Sequence, residues 1–374
     1  MIDRTLKVKV TEKLNKGKVI ILLGARQVGK TTLLKEIFGT SQDDIMWLSG
    51  DDSDVRLLFE NISSTRLESI LSNKKYLIID EAQRIKDIGI KLKMITDNVA
   101  DVQLIATGSS SLDLANEVNE PLTGRKWEYK MYPLSFEEMV RHSDIIQEKR
   151  MIPHRLVYGY YPDVVANPVD EREVLKNLSE SYLFRDILMW EKIKKPDKVL
   201  KLLQALAYQV GSQVSYLELG QICGLDSKTV EKYIILLEQC YVLFRLGSFS
   251  RNLRNELKSS KKIYFYDNGI RNAMIADFSI VENRQDIGKL WENFLVSERR
   301  KKLDYSQMWR NTWFWRTSAG NEIDYLEEEA GKLYAFEFKW SPKANYKIPG
   351  KFADNYPGTP VTVIHRDNIE DFLL

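Results

Sequence analysis

The sequence predicts an α/β protein: a parallel sheet covered by helices on both faces, then a helical connector, then a second, smaller α/β domain. Three observations carry this. Over residues 1–150 short apolar runs alternate with amphipathic stretches, the pattern of strands joined by crossover helices. From 150 to about 242 the periodicity is helical. Beyond Phe244 it becomes strand-like, and the last third reads helix, strand, strand, strand, helix, strand.

Taken in order, Val19–Leu23, Met46–Ser49, Tyr76–Ile79 and Gln103–Thr107 are predicted strands, with helices over Lys30–Phe38, Asp54–Leu71 and Ile88–Val99. Residues 150–195 read as helical, punctuated by Gly159-Tyr160-Tyr161-Pro162, and three helices follow to about Val242. The C-terminal elements are Asp286–Lys302, Thr312–Arg316, Glu322–Leu326, Leu333–Trp340, Asn345–Asp354 and Val361–His365. With 374 residues, two or three domains are expected at roughly 150 residues each. The expected boundaries are 1–145, 146–262 and 263–374.

Composition excludes several classes. Lys+Arg (55) nearly balances Asp+Glu (53), so any nucleic-acid surface must be local. Two cysteines, Cys223 and Cys240, and three scattered histidines exclude a disulfide scaffold and a Cys- or His-rich metal site. The N-terminus lacks the apolar core of a signal peptide, and no apolar run approaches the roughly 20 residues that span a bilayer. A soluble, cytoplasmic protein without membrane partners is expected.

The most specific motif is Gly24-Ala25-Arg26-Gln27-Val28-Gly29-Lys30-Thr31, which follows an apolar strand and opens a helix at Thr32. Its glycines let backbone N–H groups curl around phosphate oxygens, and the helix N-terminus adds its dipole. Lys30 is placed to reach the β- and γ-phosphates, and the Thr31 hydroxyl to sit on Mg²⁺. The strand Tyr76-Leu-Ile-Ile-Asp80-Glu81 ends in two carboxylates. Asp80 suits Mg²⁺ through water, and Glu81 suits a general base on the attacking water. Thr107, Ser109 and Ser110 are candidates for a hydroxyl that senses the γ-phosphate. Arg125 is a candidate for stabilising transition-state charge, in cis or from a neighbouring subunit of a homo-oligomer.

These runs, with Gly108–Ser111, Leu122–Arg125 and Tyr132-Pro-Leu-Ser-Phe-Glu137, resemble a prokaryotic AAA-type P-loop ATPase family whose members carry a C-terminal domain of unknown function. The resemblance covers nearly the whole chain and implies ATP binding and hydrolysis with Mg²⁺.

Ser215–Gly224 and Asp226–Glu238 read as two helices joined by a turn near Gly224, each opened by a capping side chain. The pattern is similar to a winged helix. Its third helix would offer Ser227, Lys228, Thr229 and Lys232 to DNA. The segment 245–262 adds Arg245, Arg251, Arg254, Lys258, Lys261 and Lys262 against one acid, Glu256. A protein-binding or inter-domain module is the alternative.

In the last third, Glu292 lies in a helix, Asp324 at the end of Gly320-Asn-Glu-Ile-Asp324, and Glu337 and Lys339 on one strand face. Carboxylates and a lysine in this order resemble the PD-(D/E)xK nuclease superfamily, a restriction-endonuclease-like fold, though Ile323 replaces the usual proline. The resemblance implies Mg²⁺ held by Asp324 and Glu337, with Lys339 activating water. A degenerate scaffold is the alternative. The reading is therefore an ATPase acting on DNA by binding, remodelling or cleavage. Its rival is an ATP-driven switch for protein partners, with an inert nuclease-like domain.

Overall fold

Five residues of unbroken Val, Ile and Leu make Val19–Leu23 (β1) a strand buried on both faces, each side chain at most 1% exposed. Burial of that kind stabilises by about 1.5–3 kcal/mol per side chain. The computed structural model describes residues 2–39, 43–99, 101–109, 121–183, 195–250 and 260–374. The chain forms two compact units: Met1–Pro133 with Gln239–Tyr241, and Leu134–Glu238 with Val242–Leu374.

In the first unit β1 is joined by Ile45–Ser49 (β2), Tyr76–Asp80 (β3), Gln103–Gly108 (β4) and Lys126–Lys130 (β5). The sheet is wholly parallel in the order β2-β3-β4-β1-β5. β4 therefore lies between β1 and β3, and the C-terminal tips of all three share one edge. The helix expected over Asp54–Leu71 is two helices, Ser53–Glu60 and Ser64–Leu71. The break follows from Ser63, whose hydroxyl accepts from the Arg66 N–H and starts a new helix.

The second unit carries a seven-stranded sheet. Its strands are Gln213–Val214 (β6), Leu243–Ser248 (β7), Lys261–Phe265 (β8), Asn311–Arg316 (β9), Glu322–Glu329 (β10), Lys332–Phe338 (β11) and Val361–Ile364 (β12), in the order β12-β11-β10-β9-β7-β8-β6. The boundary expected at 262/263 falls inside β8, and strands on both sides of it share this one sheet. β7 pairs with β9 in parallel through Gly247–Trp313 and Ser248–Phe314, which makes the sheet continuous. The last predicted helix begins only at Gly350, after Pro349. Trp315, Ile323, Leu326, Ala335 and Phe352 form the core on one face of this sheet. Among the described residues no helix is long and apolar enough to cross a membrane.

Candidate functional site

The phosphate loop joins β1 to the helix Lys30–Phe38. Gly24 must be glycine for a steric reason: a Cβ there would stand 2.1 Å from the Met131 carbonyl oxygen. Gly29 has φ +97°, where L side chains are strained. Ala25 and Val28 face inward, Arg26 is half-buried, and Gln27 and Thr32 are exposed. The Lys30 ammonium is buried and donates to the Gly24 and Ala25 carbonyls at 2.8 Å each.

Around the loop the strand tips form a connected network. The Thr31 hydroxyl donates to Asp80 Oδ2 at 2.8 Å, and the Thr107 hydroxyl donates to Asp80 Oδ1. The Glu81 N–H donates to the same Asp80 oxygen at 3.2 Å and to Thr107 Oγ1 at 3.3 Å. Glu81 itself has φ +49°, a left-handed turn that carries the chain out of β3. Gln83 Nε2 donates to Glu81 Oε2 at 2.7 Å and to the buried Ser109 hydroxyl at 3.0 Å. Of the three hydroxyls proposed as sensors, Thr107 is the one bonded to Asp80, and Ser109 reaches Glu81 through Gln83. Ser110 lies outside the described residues.

Arg125 does not join this site. Its carbonyl accepts from the Val19 N–H at 2.9 Å, so it sits at the start of β1 and not at its tip. Five strand residues at about 3.3 Å each put roughly 16 Å between the two edges. The side chain instead pairs with Asp97 Oδ1 at 2.7 Å. Within this chain the sheet polarity sets it at the opposite edge from the strand tips.

Two residues without an assigned role in the sequence reading belong here. Gln83 bridges Glu81 and Ser109. Arg4 is buried and donates to the Val28 carbonyl within the loop and to the Tyr132 carbonyl, at 2.6 Å each. It braces the loop from behind. Gln83 had a signal in its motif, Asp80-Glu-Ala-Gln83, whereas a lone arginine in a charged N-terminus gives none.

Thr31 and Asp80 offer hard oxygen ligands beside a phosphate-sized turn, a donor set that fits Mg²⁺ with a nucleoside triphosphate. Residues 16–140 match the AAA domain family. The AAA domain is followed by matches to two domains of unknown function, DUF8612 over 149–279 and DUF4143 over 287–370. An uncharacterized protein of Mycobacterium tuberculosis is 25% identical over 331 residues, spanning 87% of this chain and 71% of its own. One of Haemophilus influenzae is 23% identical, spanning 95% and 94%. One of Methanocaldococcus jannaschii is 23% identical, spanning 81% and 70%. Among solved structures, a signal transduction ATPase with a tetratricopeptide repeat sensor from Pyrococcus horikoshii aligns with TM-score 0.31 and 11% identity over 81% of this chain. The Candida albicans Pif1 helicase aligns with TM-score 0.28 and 14% identity over 48% of this chain. The matched regions span 46% and 48% of those solved chains.

In the second unit the expected carboxylates do converge. β10 carries one extra residue against β9 between Ile323 and Leu326, and such a bulge re-aims a side chain. Asp324 thereby stands one pair beyond Tyr325–Phe336, opposite Glu337. Glu292, Asp324 and Lys339 line a cleft of about 610 Å³. Burial, then the charges of Glu292 and Glu337, push Asp324 well above the ordinary aspartate range against the pull of Lys262. Burial also raises Glu337, against Lys339 at 2.6 Å.

This set does not fit a divalent-cation centre as it stands. Among the described residues no three His, Cys, Asp or Glu side chains stand close enough to hold a metal ion. The ammonium of Lys262 already sits among the acids, 2.8 Å from Glu292 Oε1 and 2.5 Å from Glu322 Oε1. Asp324 Oδ2 accepts from the Phe338 N–H at 2.9 Å.

In the basic segment 245–262, Arg245 and Lys262 are turned to internal partners. Lys262 is 1% exposed and internal. Arg245 is paired with Glu238 at 2.6 Å and bonded to the Tyr216 hydroxyl. Arg251, Arg254 and Lys258 lie outside the described residues. On the helix Ser227–Gln239, Lys228 and Lys232 are exposed. Thr229 is occupied as a cap partner, donating its hydroxyl to Asp226 Oδ2 at 2.6 Å.

Proposed function

We propose that this chain is a Mg²⁺-dependent ATPase whose turnover at the phosphate loop drives DNA binding or remodelling by the second unit. One observation carries the ATPase reading: Thr31, Asp80, Thr107 and Glu81 form a single hydrogen-bonded chain beside the loop. Mg²⁺–ATP, when bound, supplies the phosphoanhydride and a cation that offsets the charge of its phosphates. Lys30 and the loop backbone hold the phosphates. Thr31 and Asp80 hold the cation's side of the site. Glu81, kept in place by Gln83, takes a proton from the attacking water, and Thr107 ties that glutamate's backbone to Asp80. For Arg125 the remaining route is from a neighbouring copy in a homo-oligomer.

DNA as the partner is supported by the order of elements Pro196–Tyr208, β6, Tyr216–Cys223, Ser227–Gln239, β7 and β8. That order suits a winged helix, with Lys228 and Lys232 on the early turns of its third helix. Cleavage at Asp324, Glu337 and Lys339 is set aside, because Lys339 is paired with Glu337 and the Lys262 ammonium already stands among the acids beside Asp324. The rival, a protein partner, is favoured by exposed apolar side chains on the preceding helix, Leu217 at 66% and Ile222 at 41%.

The test is Mg²⁺-dependent phosphate release with and without duplex or single-stranded DNA at about 50 mM salt, where electrostatic binding is strong. The reading expects DNA to raise turnover, Lys228→Glu with Lys232→Glu to remove the DNA-dependent part, and the DNA to stay uncut. Turnover blind to DNA, with no binding at that salt, would hand the function to a protein partner.

A further inference from the structure

The seven-stranded sheet encloses an acid cluster with an unusual counter-ion. Glu292 comes from the helix Ile287–Tyr305, Glu322 and Asp324 from β10, and Glu337 from β11. Among them Lys262, on β8, is 1% exposed and makes two ion pairs within 2.8 Å. An isolated ammonium at that depth would lose its proton or be expelled, because desolvation penalises the charge. Burial does pull Lys262 down, but Glu292, Asp324 and Glu322 outweigh it and keep the ammonium above its ordinary value. The ring of Phe314 adds a face 5.3 Å away. Tyr264 donates to the same Glu292 oxygen at 2.6 Å, fixing that carboxylate toward Lys262.

Four carboxylates are thus held by two side-chain ammoniums, Lys262 and Lys339, with Arg316 3.1 Å from Glu322 at the rim. Glu337 is held by Lys339 at 2.6 Å and faces the Tyr346 hydroxyl. The cluster has the charge of a cation site without three acids gathered about one point, and the cations among its acids are the protein's own lysines.

We infer that Lys262 is the resident cation of this cluster: its ammonium takes the place of a divalent ion, leaves the second unit metal-independent, and closes a latent cation site at Glu292 and Glu322 beside Asp324. A lysine held this way cannot be exchanged or chelated, so the cluster is locked whatever the Mg²⁺ concentration. Neutralising residue 262 removes a positive charge a few ångströms from the acids, and divalent-ion affinity rises by at least about tenfold through Coulomb's law alone.

The experiment is Mn²⁺ binding by calorimetry and electron paramagnetic resonance, on nucleotide-free full-length protein. Wild type, Lys262→Met, Asp324→Asn and the double variant are compared. Subtracting Asp324→Asn removes any Mn²⁺ held at the phosphate loop. The expected result is no detectable Asp324-dependent site in wild type and one such site in Lys262→Met, with Mn²⁺ affinity raised at least about tenfold above the wild-type detection limit. An Asp324-dependent Mn²⁺ site in wild type overturns the inference, and this holds even if Lys262→Met does not fold. A folded Lys262→Met that gains no site overturns it as well. Lys262→Gln, closer in shape and polar, repeats the gain-of-site test in a milder background.

Discussion

Replacing Thr107 by valine removes one hydroxyl and leaves the side-chain outline almost unchanged. The group is fully buried, donates to Asp80 and accepts the Glu81 N–H. A hydrogen bond to a charged partner contributes about 1.5–3 kcal/mol. If that bond holds Asp80 and Glu81 in the arrangement used during turnover, the loss appears in kcat. At 1.36 kcal/mol per factor of ten, kcat falls about ten- to a hundredfold. ATP affinity changes little, because Lys30 and the loop backbone are untouched. The assay is phosphate release at saturating ATP, paired with fluorescent-nucleotide binding to read Kd. Ser109→Ala, which reaches Glu81 only through Gln83, serves as the weaker comparison. A Thr107→Val protein with kcat within about twofold of wild type, or with its whole loss in Kd, would refute the assignment.

Lys30→Ala removes the ammonium placed for the phosphates and should weaken ATP binding by at least about tenfold, read by the same nucleotide titration. Gly24→Ala drives a methyl into the Met131 carbonyl and should abolish ATP binding while the second unit stays folded, seen by limited proteolysis. Arg4→Met leaves two buried carbonyls without their charged donor and should lower stability by about 3 kcal/mol or more in urea titrations, with Arg4→Lys recovering part. Glu327 is buried between Arg299 and Arg310, with contacts of 2.6 and 2.8 Å, so Glu327→Gln should cost about 3–5 kcal/mol. Burial alone would raise Glu327, but hydrogen bonds and charge from Arg299, then Arg310, hold it below the ordinary glutamate value. Its stabilisation is therefore full above the unfolded-state pKa near ~4.3 and is lost as pH falls through the lower folded value. Urea midpoints of wild type should fall in that acid window, and Glu327→Gln should lack that part of the fall.

Local signals in the sequence were legible and long-range ones were not. The phosphate loop, the acidic tip of β3 and the hydroxyl-rich tip of β4 follow from short runs of residues, and the structure brings them together. The caps at Ser215 and Asp226 were also readable, because each bonds a backbone N–H three residues on. The position of Arg125 at the start of β1 was not legible, because a one-dimensional reading does not show which end of a parallel strand a flanking residue occupies. Lys262 looked like part of a basic surface because its partners, Glu292 and Glu322, lie 30 and 60 residues away. Arg245 is similarly hidden by Glu238 and Tyr216. The bulge that sets Asp324 opposite Glu337 has no local sequence signature, whereas the order of elements around it did.

The central claim is hydrolysis of ATP at the first unit with Glu81 as the base. It is tested most directly by comparing Mg²⁺-dependent phosphate release and ATP binding in wild type and Glu81→Gln. The account predicts a wild-type enzyme that turns over, and a variant that binds ATP as tightly but has lost at least about a hundredfold in kcat. A variant that hydrolyses ATP at the wild-type rate, or a wild type that binds ATP without releasing phosphate, would contradict it.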